Sequence, residues 1–410
     1  MGEKEVNASV VYKELAAGAE IDQQCIANHM VTIYRNAFWT AKQRQGSVIH
    51  EISYRACFKP QLPGYFINML TEKGDVVYDP FSGRGTTAIE AGRLGRHVIA
   101  NDINPLSAIL SKPRFFIPDQ AEVTQRLVEI ILDKNAKADM DLSMFYHPQT
   151  EAEIVSLKNY FIQRKKAGTE DYIDMWIRMI ATNRLTGHSP GFFSVYTLPP
   201  NQAVSPERQI KINAKLQQTA EYRDTKASIL KKSKAIIGKV SLEEKDNLFM
   251  SGKSAVFLDN DARYTSEIND NSVQLTVTSP PFLDVVQYSA DNWLRCWFNN
   301  IDDEKVAQKI TMSTTVSAWS EVMSDVFKEL FRITKSGGWV AFEVGEVRKA
   351  SVKLEETIVP LGIEAGFNCE GILINTQQFT KTANIWGVNN NASGTNTNRI
   401  ILFNKEVQFK

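Results

Sequence analysis

The chain has 410 residues, enough to bury a large core as one domain with insertions or as two. Lysine plus arginine and aspartate plus glutamate each number 47, so the net charge is zero; this excludes a histone-like coat of positive charge but leaves room for a local basic face. The scattered cysteines Cys25, Cys57, Cys296 and Cys369 form no C-x-x-C pair, no apolar run is long enough to cross a bilayer, and the first residues lack a signal-peptide pattern, so a metal-free soluble protein of the reducing cytoplasm is expected.

Residues 1–50 are expected to form an N-terminal helical extension, with a helix over 23–43 whose Tyr34, Phe38 and Trp39 pack against the main body. Lys59-Pro60 then precedes an apolar-periodic run of Tyr65, Phe66, Met69 and Leu70; Pro63 suits the first turn of a helix ending near Gly74. Asp75-Val76-Val77-Tyr78 reads as a strand, and Asp79-Pro80-Phe81-Ser82-Gly83-Arg84-Gly85-Thr86-Thr87 as a glycine turn opening a helix over 86–94. Such a helix start offers free N–H groups to a ligand. No Lys-Ser/Thr follows the second glycine, so this is not a phosphate loop. A second strand, 97–100, ends in Asn101-Asp102-Ile103-Asn104-Pro105. Asp102 lies 17 residues beyond Gly85, where an acid meets a ribose diol in βαβ nucleoside sites. It would also serve as the cap of a helix starting near Pro105.

Residues 111–250 break this rhythm as a largely helical insert, in which Tyr172, Met175, Trp176, Met179 and Ile180 recur at core spacing. Between Arg208 and Lys239 nine cations face two acids, Glu221 and Asp224, for a net of +7. A solvated helix face and a phosphate-contacting surface both account for that run. The sheet resumes at 255–258, followed by Asp259-Asn260-Asp261-Ala262. The apolar run Val273-Gln274-Leu275-Thr276-Val277 is a buried strand that must stop at Thr278-Ser279-Pro280-Pro281-Phe282, because two prolines cannot donate to a ladder. A hydroxyl, a rigid turn and an aromatic ring then sit at a strand's carboxyl end, where open α/β sheets bind ligands. Further on come an amphipathic helix over 319–333, a strand over 339–344, a helix over 352–365, a strand near 369–374 and a last strand over 399–403 after a polar loop at 389–398. The last two strands have no helix between them and predict an antiparallel hairpin. The fold class is α/β, with about seven strands, mostly parallel.

Two of these stretches carry a family resemblance. Asp79 to Thr87 resembles the D-P-F-x-G-x-G-T-T loop of DNA amino-methyltransferases that use S-adenosylmethionine (SAM), and Ser279-Pro280-Pro281-Phe282 resembles their catalytic tetrad in its cytosine-N4 form. Lys59-Pro60 resembles the K-P element before the first strand. The resemblance covers roughly 54–110 and 254–404 and implies a Rossmann-like SAM-dependent methyltransferase fold, with 51–110 and 251–410 as catalytic domain and 111–250 as target-recognition region. It implies that Phe81, Ser82, Gly83, Gly85, Thr86 and Thr87 line the methionine end of SAM with Asp79 near its ammonium. Asp102, with Ile103, would meet the ribose, and Asp261 or Ala262 the adenine edge. Ser279 and the Pro280 carbonyl would accept hydrogen bonds from the target amine, Pro281 would stiffen the turn, and Phe282 would stack on a base flipped out of duplex DNA. Arg184, His188 and Tyr196 are candidate DNA contacts. No cysteine follows a proline, which argues against carbon-5 methylation. The implied partners are double-stranded DNA and a cognate restriction endonuclease, with the chain a monomer or homodimer. In many cytosine-N4 enzymes the tetrad precedes the SAM loop, whereas here it follows; adenine-N6 and RNA amine substrates therefore stay open, as does a DNA-binding protein without catalysis.

Overall fold

The structure, a computed structural model, describes residues 8–39, 46–54, 57–197, 203–281, 288–309, 315–344, 346–347, 352–376 and 397–407. Helix α1 (Ala8–Ala16) leads into β1 (Glu20–Ile26) and β2 (His29–Asn36), an antiparallel hairpin where a helix over 23–43 is expected. The reason lies in its turn. Ala27 and Asn28 have φ of 47° and 69°, the two left-handed residues that a two-residue primed hairpin requires. Beyond it Val31 and Ile33 are buried on one side of the strand, a period of two rather than 3.6.

The central βα units follow. Helix α2 (Gln61–Leu70) precedes β3 (Val76–Asp79), α3 (Thr86–Arg93), β4 (His97–Asn101) and α4 (Leu106–Ser111). The insert contributes α5 (Gln120–Glu129), α6 (Pro148–Lys166), α7 (Tyr172–Thr182), α8 (Pro206–Leu216), α9 (Thr225–Ile237) and α10 (Leu242–Gly252). The chain returns through β5 (Val256–Leu258), β6 (Val273–Thr278), α11 (Tyr288–Phe298), α12 (Asp303–Lys309), α13 (Val316–Ile333) and β7 (Thr334–Val344). A short ribbon, β8 (Glu346–Val347) with β9 (Val352–Lys353), leads to α14 (Glu355–Glu364), β10 (Asn368–Thr376) and β11 (Thr397–Asn404).

Nine strands form one sheet in the order β1-β2-β10-β11-β7-β6-β3-β4-β5, two more than the sequence suggests, the surplus being the N-terminal hairpin. Strands β7, β6, β3, β4 and β5 run parallel, β10 and β11 pair antiparallel, β11 pairs antiparallel with β7, and β2 joins β10 in parallel. From β3 the chain crosses to β4 on one side, whereas β6 lies on the other. That reversal opens a crevice at the carboxyl ends of β3 and β6.

Alternation along the strands divides the core between the two faces. Val77, Leu275, Val277, Ala341 and Leu402 join one apolar cluster, and Tyr78, Val273, Val340, Phe342 and Phe403 the other. Helices α13 and α14 cover the second face through Met323, Phe327, Leu330, Ile358 and Val359. The insert covers the first: Phe145, Trp176, Ile180, Ile229 and Leu248 belong to the same cluster as Val77 and Leu275. It is therefore packed into the sheet's core. Its α7 is held by the fully buried Asp174, which pairs with Arg126 and, at 2.8 Å, with Arg164. Among the described residues no helix is long and apolar enough to cross a membrane, the four cysteines are unbridged, and no acid, histidine and cysteine cluster could hold a metal.

Candidate active site

The glycine turn and the Pro-Pro turn meet at the crevice. Strands β3 and β6 are neighbours, Val77 opposite Leu275 and Tyr78 opposite Thr276, so the residues after each strand emerge side by side. Two hydrogen bonds lock them: the Thr278 hydroxyl donates to Asp79 at 2.7 Å and the Thr87 hydroxyl to the Val277 carbonyl at 3.0 Å. A solvent-open cleft results between the two turns.

Most of the expected residues line this cleft: Asp79, Phe81, Ser82, Gly83, Thr86, Asp102, Ile103, Asp261, Ala262, Ser279 and Pro281. Others do not. Thr87 is fully buried and spent on β6. Gly85 has φ +78°, and a Cβ there would come within 2.5 Å of Ser111 Cβ, so its bareness serves the packing of α3 on α4. Lys59 and Pro60 start α2 behind the wall, where burial lowers the Lys59 ammonium. Pro280 is buried, and Phe282 lies outside the described residues, as does the loop at 389–396.

The electrostatics are set by buried carboxyls. Burial pushes Asp79 up from 3.8 to about 7, against the bonds from Thr278 and the Phe81 N–H. Asp102 is also raised by burial; its carboxylate accepts from the Gly83 N–H at 2.7 Å and the Asn104 N–H at 2.9 Å. Asp102 thus fixes the glycine turn and does not cap the next helix; Asn104 accepts from Leu106 N there. Asp261 is committed to Arg263 at 2.7 Å, which lowers its carboxyl. The buried Ser82 hydroxyl has no partner among the described residues, an idle group in the cleft wall.

Several contributors escaped the sequence reading. Trp319, Val322, Met323 and Val326 on α13 form the apolar wall, and the Trp319 indole N–H donates to the Pro281 carbonyl at 3.0 Å. Their spacing was legible only as a packing stripe. Tyr54, Cys57 and Phe58 form another side. Their segment is held to the glycine turn by Arg84, donating to the Ile52 carbonyl at 2.6 Å, and to α11 by Arg295, donating to the Ser53 carbonyl at 2.8 Å.

The candidate DNA contacts lie elsewhere. The Arg184 guanidinium sits 4.0 Å over the Phe192 ring, and burial lowers it to about 10. His188 is exposed, and the Tyr196 carbonyl accepts from Gln209 at 3.1 Å. None of the three lines the cleft. In the basic run Lys226 bonds the Ile130 carbonyl, Lys232 pairs with Glu51 and Arg223 bonds the Ser189 and Phe192 carbonyls. Arg208, Lys211, Lys215, Lys231, Lys234 and Lys239 remain exposed.

Residues 24–110, which include the glycine turn and Lys59-Pro60, match the model of a family described as DNA methylase. Over 80 residues the chain is 34% identical to the type II methyltransferase M.MjaII of Methanocaldococcus jannaschii, covering 20% of this chain and 14% of the relative. It is 22% identical over 306 residues to the type II methyltransferase M.BsoBI of Geobacillus stearothermophilus, covering 70% of this chain and 60% of the relative. A tRNA (guanine(37)-N(1))-methyltransferase of Danio rerio is 35% identical over 115 residues, covering 23% of this chain and 24% of the relative. The chain thus spans 14% to 60% of the lengths of these relatives. The fold, the cleft and these matches support the class of DNA amino-methyltransferases.

Proposed function

We propose that the protein transfers a methyl group from SAM to the exocyclic N4 amine of a cytosine flipped out of duplex DNA. The observation that carries this reading is the single cleft lined at once by Gly83 and by Ser279, with β3 and β6 tied through Thr278 and Asp79. The cofactor is S-adenosylmethionine, whose sulfonium supplies an already activated methyl group. The chain's own task is positioning. Asp79 faces the amino acid ammonium, Ser82 donates to its carboxylate, and the apolar wall of α13 receives the less polar parts. Asp102 holds Gly83 in its turn and takes the ribose hydroxyls. On the base side, the cytosine amine is a poor nucleophile because its lone pair is delocalised into the ring. An oxygen accepting from its N–H favours the pyramidal, nucleophilic form, and Ser279 is that acceptor in the cleft wall. The Pro280 carbonyl as second acceptor and Phe282 as stacking face follow from the resemblance.

A target base must leave the duplex stack to reach the cleft. The exposed lysines of α8 and α9 offer the phosphate contacts that such binding needs. A partner restriction endonuclease fits the type II relatives. A second reading, an RNA substrate, draws on the match to the tRNA methyltransferase, whose own target is a guanine ring nitrogen. The protein is to be incubated with SAM labelled in its methyl group and with duplex DNA or RNA, and the polymer digested to nucleosides. Label in N4-methylcytosine is the expected result. Label in N6-methyladenine overturns the choice of base, label in RNA alone overturns the substrate, and absence of SAM binding leaves a non-catalytic DNA-binding protein.

A further inference from the structure

Glu343 sits where a strand interior has no structural use for an acid. Its surroundings, Trp339-Val340-Ala341-Phe342 before it and Val344 after it, are apolar and buried. Strands β6, β7 and β11 lie side by side, with Thr278 opposite Phe342 and Ile400 opposite Glu343. This register sets Ser279, the residue after β6, beside Glu343, and brings Asn398 to it from β11. The Asn398 amide donates to the Glu343 carboxylate, and the register places the Ser279 hydroxyl close enough to hold that carboxyl down against burial. Ser279 faces the cleft; Glu343 does not line it and stands behind Ser279. A glutamine would satisfy the same neighbours without the cost of burying a charge, so the fold alone does not call for a carboxylate.

We propose that Glu343 is a positioning and proton-accepting residue that acts through Ser279. This rests on the methyltransferase reading above. By holding the Ser279 hydroxyl hydrogen, the carboxylate turns the oxygen's lone pairs towards the cleft, where they accept from the target amine. Methylation leaves that nitrogen with one proton too many. As the nitrogen lone pair forms the N–C bond, the S–CH3 bond breaks and its electron pair stays on sulfur. The surplus proton passes to Ser279 Oγ while the Ser279 hydroxyl proton passes to Glu343, and the carboxyl later gives it to water.

Burial raises Glu343 from 4.5 to about 7 against the pull of Asn398 and Ser279, so it exchanges a proton near neutral pH. The charged groups on elements packed against β7 are engaged elsewhere. Strand β6 carries none, and Arg399 of β11 pairs with Glu355 of α14 at 2.7 Å. On α13, Asp325 pairs with Lys328 and Glu329 with Arg332, while Glu321 is exposed.

The test uses the full chain with Glu343→Gln and Ser279→Ala. Infrared difference spectra of the free protein across pH 5 to 9 should show carboxyl intensity titrating near 7 from two groups; the Asp79 component is lost in Asp79→Asn, and the remaining component should be absent in Glu343→Gln and shifted in Ser279→Ala. SAM affinity by calorimetry should change less than about twofold in Glu343→Gln. The methyl-transfer rate should rise with pH through about 7 in the wild type and be lower and flat in Glu343→Gln, by on the order of a hundredfold at pH 8. An unchanged rate and pH profile in Glu343→Gln overturns the proposal, as does a Glu343 component indifferent to Ser279→Ala. If the wild type methylates no nucleic acid, the functional reading falls, and the infrared titration still decides whether Glu343 and Ser279 are coupled.

Discussion

Asp79→Asn separates what the fold needs from what the cofactor needs. In the unfolded chain this carboxyl ionises near its ordinary 3.8; in the fold it does so at about 7, because it is buried at the end of β3. Below pH 4 it is protonated in both states and costs nothing. Between 4 and 7 the unfolded chain gives up the proton and the fold keeps it, so stability falls as pH rises. Above 7 the full cost is present, on the order of 4 kcal/mol at about 1.4 kcal/mol per pH unit. Asparagine cannot ionise, and its carbonyl can still accept from Thr278 and the Phe81 N–H. Urea unfolding of wild type and variant at pH 5 and pH 8 isolates this group from the other carboxyls. The variant should gain about 3 kcal/mol relative to wild type between the two, while losing SAM binding by calorimetry. Near pH 6.5, cofactor binding to the wild type should also release protons, because an ammonium beside Asp79 draws its ionisation down. A stability difference that does not change with pH refutes the buried-carboxyl argument, and undiminished SAM affinity in the variant refutes the ammonium assignment.

The two glycines of the turn should fail differently. At Gly83, with φ +52°, a Cβ meets only Tyr54 at 3.5 Å, so Gly83→Ala should lose about 1 kcal/mol of stability to the left-handed backbone but more in SAM affinity, since the methyl enters the cleft. At Gly85 the clash with Ser111 should make Gly85→Ala lose several kcal/mol in urea unfolding, with SAM affinity falling only as the folded fraction falls; equal effects at both positions would refute the division. Trp319→Phe removes the donor to the Pro281 carbonyl and should cost about 1 kcal/mol in unfolding while lowering turnover more than SAM affinity. Wild-type turnover in that variant would show that the Pro-Pro turn needs no outside support.

What was legible in the sequence was whatever is encoded locally. Strand β3, the glycine turn, α3 and β4 lie within 26 consecutive residues, and their turn chemistry and apolar pattern predict each other. The N-terminal hairpin was missed because its stabilisation is not local. A lone two-stranded ribbon is marginal in water, and β2 is held by β10, with Ile33 opposite Ile372 and Tyr34 opposite Leu373, more than 300 residues away. Gly371 is bare where a Cβ would strike the Tyr34 ring at 2.7 Å, a constraint that no window of sequence around Tyr34 contains. Likewise the apolar face of α13 reads as core throughout; Phe327 and Leu330 bear this out, yet Trp319 and Met323 on the same face end in the cleft wall. Periodicity says that a face is covered and is silent on whether protein or ligand covers it.

The site itself depends on how deep β6 sits beside β3, and the sequence motifs do not encode that depth. A turn of two prolines is rigid but has no donor with which to anchor itself to its neighbours. Its position must be set from the strand before it, and the structure does this twice at 199 and 190 residues of separation: Thr278 bonds Asp79, and the Val277 carbonyl receives Thr87 from the start of α3. A one-residue slip of β6 would turn Thr278 away from Asp79 and move Leu275 and Val277 from one core to the other. The threonines flanking the two motifs therefore carry as much of the site's geometry as the residues that face the cleft. The same buried Asp79 that fixes the turn is the group whose charge a bound ammonium would satisfy, so cofactor binding and the alignment of the Ser279 turn act on one hydrogen-bonded unit.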